Sequence, residues 1–363
     1  MTFIIELSMQ NREYSTINEI RDNPQAIETV VRTAPKIRSL AERIYEKIGN
    51  LERVFFVGCG SSYYAVMFGA WPLLHSKLRV NAVPSSEFIF YYSQLLSQDD
   101  LVIGVSRSGQ TAETVSAIKR AREHKALTVT FTLTPKSELY ETSEESIAVD
   151  IGEEKSVVMT KSFTALSLTS AIFSAALRQC AFNETCSFIE ELDKLSSSAG
   201  SLIKEERRIQ KLAEERAANG IERFICLGSG PAYPIMLEGA LKIKETSYVA
   251  TESFHTLEFR HGPMASVGEK LTIFLSAFKG AVFDASKRLL SEIRDRGADV
   301  IFLTNSTEEG EENETIVIPN IKYEENAALL SIIPMQIFAY YYAIAKGRNP
   351  DRPRGLTRYI GRF

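Results

Sequence analysis

The stretch Leu-Glu-Gly-Ala-Leu-Lys-Ile-Lys-Glu at 237–245 carries Glu238, Lys242 and Glu245 at i, i+4 and i+7. On a helix these three project from one face, two carboxylates with an amine between them. A solvated Glu-to-Lys pair would account for part of this spacing. Ile235, Met236, Leu237, Ala240, Leu241 and Ile243 occupy most of the other sides, however, so the helix should be buried. A buried acidic stripe must be paired or put to use, and a carboxylate held beside an amine can move protons. Just beyond it, Arg260-His261-Gly262-Pro263 sets a histidine in a turn. The chain has four histidines; His255 is a second candidate, and His75 and His124 read as surface or core residues.

A different chemistry is written into two short loops. Gly58-Cys59-Gly60-Ser61-Ser62-Tyr63 follows an apolar run, and so does Ser106-Arg107-Ser108-Gly109-Gln110-Thr111. The first has neither the third glycine of a dinucleotide fingerprint nor the Gly-Lys-Ser/Thr of a P-loop. What both have are small residues and hydroxyls opening a helix, whose free N–H groups and dipole favour an anion. One such loop is explained by an ordinary serine cap. Two at adjacent strand ends form a phosphate cup built from Ser61, Ser62, Ser106, Arg107, Ser108 and Thr111, with no metal or cofactor required.

The elements that position these residues come from an internal repeat. ERVFFVGCGSSYYAVM (52–67) overlays ERFICLGSGPAYPIML (222–237) at an offset of 170, and the same offset sets DDLVIGVS (99–106) on EKLTIFLS (269–276). A period this long marks a duplicated domain. Each copy alternates strand and helix: VFFVG, LVIGV and ALTVTFTLT in the first, FICLG, LTIFLS and DVIFLT in the second. The expected fold is therefore α/β, two tandem doubly wound parallel sheets with ligands at the carboxyl ends of the strands. The polar helical stretch 188–216 should join the copies, with domains at 1–200 and 201–363. In the second copy Ser108 is replaced by Phe278, so one phosphate site per chain is expected, in the first domain.

Composition narrows the function. The 363 residues carry a net charge of −4, and no basic block suits a nucleic-acid surface. Four scattered cysteines give neither zinc spacing nor a disulfide scaffold. The N-terminal MTFIIELSMQNREY lacks a signal-peptide core. The apolar stretch 327–345 is interrupted by Pro334, Gln336 and three tyrosines, which suits a buried or subunit-facing helix better than a membrane span. A cytoplasmic protein without membrane or nucleic-acid partners is expected.

Taken together, LEGALK-x-KE, the His-Gly-Pro turn, SRSGQT, MTKSFT (159–164), INEIRDNPQAI (17–27), SSEF (85–88) and NPDRPRGLTR (349–358) resemble the sugar isomerase (SIS) family over nearly the whole chain. Within it the chain is most similar to the isomerase half of glutamine–fructose-6-phosphate amidotransferases and to stand-alone glucosamine-6-phosphate deaminases. The resemblance implies flavodoxin-like domains and a phosphosugar held by the Ser/Thr cup. It implies Glu245 as the base between sugar carbons 1 and 2, with Glu238 and Lys242 in support. His261 would assist ring opening from the neighbouring subunit, so that a homodimer shares its active sites. Two departures stand out. The chain passes from Met1-Thr2 almost directly into the first helix, so no glutaminase domain is expected. Arg358 stands where the synthases carry an imine-forming lysine, and a guanidinium cannot form a Schiff base. Both point to deamination of glucosamine 6-phosphate. A deglycase of fructosamine 6-phosphate, a galactosamine-6-phosphate deaminase and a non-catalytic phosphosugar sensor remain the alternatives.

Overall fold

The computed structural model describes residues 13–309 and 314–362. The N-terminal stretch weighed above as a signal peptide lies largely outside them.

Two five-stranded parallel sheets form the framework. Helices α1 (Ser15–Arg21) and α2 (Asn23–Ile48) lead into β1 (Arg53–Gly58), α3 (Ser61–Gly69) and β2 (Arg79–Pro84). Then come β3 (Asp100–Ser106), α4 (Ala112–Glu123), β4 (Leu127–Thr132), β5 (Glu145–Ala148) and α5 (Lys161–Phe182). Their sheet runs β2-β1-β3-β4-β5. Helices α6 (Leu192–Lys204) and α7 (Glu206–Ala218) form the polar connection, which breaks at Glu205 rather than running as one helix. The second copy follows as β6 (Arg223–Gly228), α8 (Ala232–Ser247), β7 (Ala250–His255), β8 (Leu271–Ser276), α9 (Phe283–Arg294), β9 (Asp299–Thr304) and β10 (Thr315–Val317). It closes with α10 (Glu324–Leu330) and α11 (Ile332–Ala345). Its sheet, β10-β9-β8-β6-β7, has the same order read from the other edge. This is the flavodoxin-like order, with a switch point between the first and third strands of each copy.

The inner strands form because they are buried on both faces. Every residue of β3, β4 and β8 is buried, as continuous apolar and β-branched runs in parallel sheets require. Phe55, Val57, Val102, Val115 and Ile118 belong to one core; Ile225, Leu227, Ile273, Leu275 and Phe302 belong to the other.

The chain divides into two compact units, but not by a single cut. One unit holds Gln25–Glu153, Lys161–Asp193 and the tail from Thr357; the other holds the described residues to Pro24, Glu154–Thr160 and Lys194–Leu356. Buried polar contacts within the latter explain the exchanged pieces. The Glu19 carboxylate accepts from the backbone N–H groups of Lys155 and Ser156, and Asp351 accepts from the N–H groups of Ser15 and Thr16 at 2.9 and 2.8 Å. The strands of the first sheet lie between residues 53 and 148 and those of the second between 223 and 317.

Two helical stretches, Lys161–Phe182 and Glu324–Ala345, are long and apolar enough to cross a membrane, and 72% and 89% of their most apolar windows are buried inside the protein. The stretch 327–345 is thus packed as core, as its interruptions predict.

Candidate functional site

The Ser/Thr cup lies in the unit of the first sheet, where the loops after β1 and β3 leave the switch point. Gly58 ends β1 because α3 begins immediately above it; a Cβ there would sit 2.7 Å from the Ser62 carbonyl carbon. Gly60 turns the chain with φ near +53°, and Ser61 and Ser62 open α3, both buried. The second loop is tighter. Gly109 has φ near +63°, and a Cβ on it would run into the Ser137 hydroxyl. Both facts demand glycine.

Backbone groups orient the hydroxyls of this loop. Ser106 Oγ accepts from Gly109 N–H at 3.1 Å and lies 3.0 Å from Thr111 Oγ1. Ser108 Oγ accepts from Gln110 N–H at 3.1 Å. A hydroxyl already accepting from the backbone keeps its own proton to donate, which is what a phosphate oxygen needs. Thr111 occupies the N-cap of α4 without a side-chain cap bond, so beyond Ala112 the N–H groups of Glu113 and Thr114 stay available at the positive end of a twelve-residue helix. Below the loop, the Arg107 carbonyl accepts from the Thr132 hydroxyl at 3.2 Å and from Leu133 N–H at 3.3 Å.

Two features of the cup escape sequence reasoning. The C-terminal tail returns to it: Arg107 Nη2 donates to the Arg358 carbonyl at 3.3 Å, and Ala112 N–H donates to the Ile360 carbonyl at 3.0 Å. Arg358 thus reaches the cup through its backbone. Behind the cup, Thr114 Oγ1 joins Ser85 Oγ at 3.1 Å and Cys59 Sγ at 3.7 Å, and burial pushes the Cys59 thiol up. The first contact depends on a tail far away in sequence. The second depends on three residues of unremarkable type.

The charged helix lies in the other unit, as α8. Its sequence spacing becomes a linear ion triad: Lys242 Nζ is 3.1 Å from Glu238 Oε1 and 2.6 Å from Glu245 Oε2. Side-chain exposure grades along it, 0% at Glu238, 3% at Lys242 and 20% at Glu245. Burial by itself would drive the ammonium to lose its proton, but the two carboxylates outweigh that and hold Lys242 above its usual value. The outermost member, Glu245, turns Oε2 to the lysine, and its Oε1 has no hydrogen-bond partner among the described residues. This is a carboxylate whose charge is balanced from within the protein and which keeps one fifth of its side chain exposed.

His261 follows the helical turn Glu258–Arg260 and precedes Gly262, whose φ near +119° reverses the chain. It is exposed and forms no side-chain hydrogen bond or ion pair with a described residue, so the structure does not join it to the triad of its own chain. His255 ends β7 and stacks on Tyr233 with ring centroids 3.7 Å apart; burial pulls its imidazole below the usual value, against the opposing field of Glu258.

Comparison with known proteins agrees with this architecture. A family model described as SIS domain matches residues 47–175 and 220–346. The chain is 31% identical over 348 residues to the isomerizing glutamine–fructose-6-phosphate aminotransferase of Aquifex aeolicus, covering 95% of this chain and 57% of that one. The corresponding protein of Pyrococcus horikoshii is 28% identical, with 96% and 58% covered. The chain thus spans somewhat more than half the length of these relatives. Among solved structures, the C-terminal domain of glucosamine-fructose-6-phosphate aminotransferase from Francisella tularensis superposes with a TM-score of 0.83 at 25% identity, covering 95% of this chain and 99% of that one. Glucosamine-6-phosphate deaminase from Thermotoga maritima superposes with a TM-score of 0.72 at 25% identity, covering 92% and 99%. With a match on each sheet, and the cup and the charged helix inside the matched segments, the chain belongs to the SIS family as a tandem pair of its domains.

Proposed function

We propose that the protein converts glucosamine 6-phosphate and water to fructose 6-phosphate and ammonia. The observation that carries this reading is the ion triad of α8, which presents one accessible carboxylate backed by a buried cation. The cup binds the sugar's phosphate, the part of the substrate that does not react. His261, supplied by a second copy of the chain, assists opening of the pyranose ring. Glu245 then takes the proton from carbon 2 of the open-chain aldose and returns it to carbon 1. The electron pair of the C2–H bond passes through an enolamine and leaves an imine at carbon 2. Water adds to that imine and ammonia departs, giving the ketose.

The Lys242 ammonium pairs with the carboxylate that takes the proton, and Glu238 balances the remaining charge in the interior. The substrate brings its own nitrogen, so this direction needs no lysine at position 358. The similarity to aminotransferases and to a deaminase supports the amino-sugar class. The test is ammonia and ketose release from glucosamine, galactosamine and fructosamine 6-phosphates. Turnover of glucosamine 6-phosphate well above the other two is expected. Turnover confined to either of the others reassigns the substrate, and no turnover of any overturns the reading.

A further inference from the structure

The duplication leaves a second concavity. In the unit of the second sheet, at the carboxyl ends of β8 and β9, a surface cavity of about 590 Å³ is lined by Lys279, Asn305, Lys322, Tyr323, Glu324 and Glu325. One of its walls, the loop leaving β8, corresponds to the loop leaving β3 in the cup, and the others come from the loops after β9 and β10. The offset of 170 sets Ser276, where the loop leaves β8, on Ser106, and Lys279 on Gly109. Sequence comparison counts the loss of hydroxyls here as the loss of a site. The structure shows a polar cavity beside that loop all the same.

Asn305 builds the floor. Its Oδ1 accepts from the Lys279 N–H at 2.8 Å, and its Nδ2 donates to the carbonyls of Ile321 and Lys322 at 3.2 Å each. One nearly buried amide therefore pins two walls of the cavity. The Glu324 carboxylate folds against Gly280, where a Cβ would overlap it. Burial, with the Glu325 charge adding to it, lifts Glu324 to about 7. Near neutral pH it can therefore accept or donate a hydrogen bond. The Lys279 ammonium is half exposed, and its 4.0 Å approach to Glu308, itself 82% exposed, is a loose surface pair that a ligand can displace. Lys322 holds its ammonium 4.9 Å from the centre of the Tyr323 ring.

We infer that this cavity is a second ligand site, which takes a small polyhydroxylated anion, a sugar phosphate or sugar acid. Its anionic group pairs with Lys279 and Lys322, and a hydroxyl or amino group meets Glu324. The first cup selects phosphate by hydroxyls and helix N–H groups; the second selects charge by two cations. This inference stands on the lining of the cavity and not on the reaction proposed above.

Equilibrium dialysis of the full chain at millimolar fructose 6-phosphate, glucose 6-phosphate and 6-phosphogluconate tests it. At least one probe should bind at two per chain. Ser108→Ala/Thr111→Ala should weaken one of these sites and leave the other. Lys279→Ala/Glu324→Gln should do the reverse, weakening its site at least about tenfold, the effect of losing a charge-assisted contact. Circular dichroism and a melting curve for each variant separate binding from folding. Binding of all three probes at no more than one per chain overturns the inference. So does a second site that survives in folded Lys279→Ala/Glu324→Gln protein.

Discussion

Replacing Lys242 with methionine keeps the unbranched apolar stem and removes the central charge of the triad. The two carboxylates it holds, 3.1 and 2.6 Å away, then face one another across α8 with no cation between them. Glu238 is fully buried and cannot be hydrated, whereas Glu245 keeps one fifth of its side chain exposed and can. Breaking a buried ion pair by removing one partner costs about 3–5 kcal/mol, because an uncompensated charge is left inside. For a unit of this size, each kcal/mol lowers the melting temperature by about 2–4 °C, so a fall of about 6–20 °C at pH 7 is expected. Glu238→Gln/Lys242→Met should recover most of it, since the charge that cannot be solvated is gone. In the parent protein the raised Lys242 value places its pH signature at the alkaline end. Its stabilisation is complete below the unfolded value of 10.5 and is lost only as pH rises through the higher folded value. Calorimetry of the three proteins between pH 5 and 8 is the assay. A Lys242→Met protein melting within about 2 °C of the parent at pH 7 would refute the reasoning.

Three further outcomes follow from the structure and the proposed function. Ser108→Ala and Thr111→Ala should each raise KM by about 10- to 150-fold, from 1.5–3 kcal/mol per lost bond to a charged group, with kcat little changed; steady-state kinetics on each variant decides. Glu324 sits at about 7 against an ordinary 4.5, so its ionisation removes stability as pH rises from the lower value through the higher. Glu324→Gln should therefore gain on the parent across that window in urea unfolding, and a constant difference would count against the burial argument. Glu245→Gln and His261→Ala proteins should each be weak alone, yet recover about a quarter of full activity when mixed with subunit exchange. This outcome rests on the proposal that His261 of one copy serves the site of a second, in which case random pairing restores one site in each mixed dimer.

Much of this molecule is legible in its sequence, for physical reasons that differ by element. The inner strands read clearly because burial on both faces leaves an unbroken apolar run, as in LVIGV and LTIFLS. The outer strands do not announce themselves. RVNAVP (79–84) is only half-buried, ESIA (145–148) is four residues long and TIV (315–317) three. The triad was readable because helical periodicity fixes which side chains meet. The exchanged segments were not, because nothing local in Glu154–Thr160 tells which sheet it packs on. That is decided by Glu19, more than a hundred residues away. The tail carbonyls in the cup are hidden for the same reason, and because carbonyls carry no sequence signature.

The central claim is that Glu245 moves the proton between carbons 1 and 2. Its most direct test is turnover of glucosamine 6-phosphate deuterated at carbon 2 by the parent and by Glu245→Gln, with the label followed into fructose 6-phosphate and solvent. The parent should pass the label to carbon 1 or exchange it with water. Glu245→Gln should slow label loss and ammonia release together by about 10²–10⁴, with KM nearly unchanged. A Glu245→Gln protein that releases the label and ammonia at the parent's rate would contradict the account.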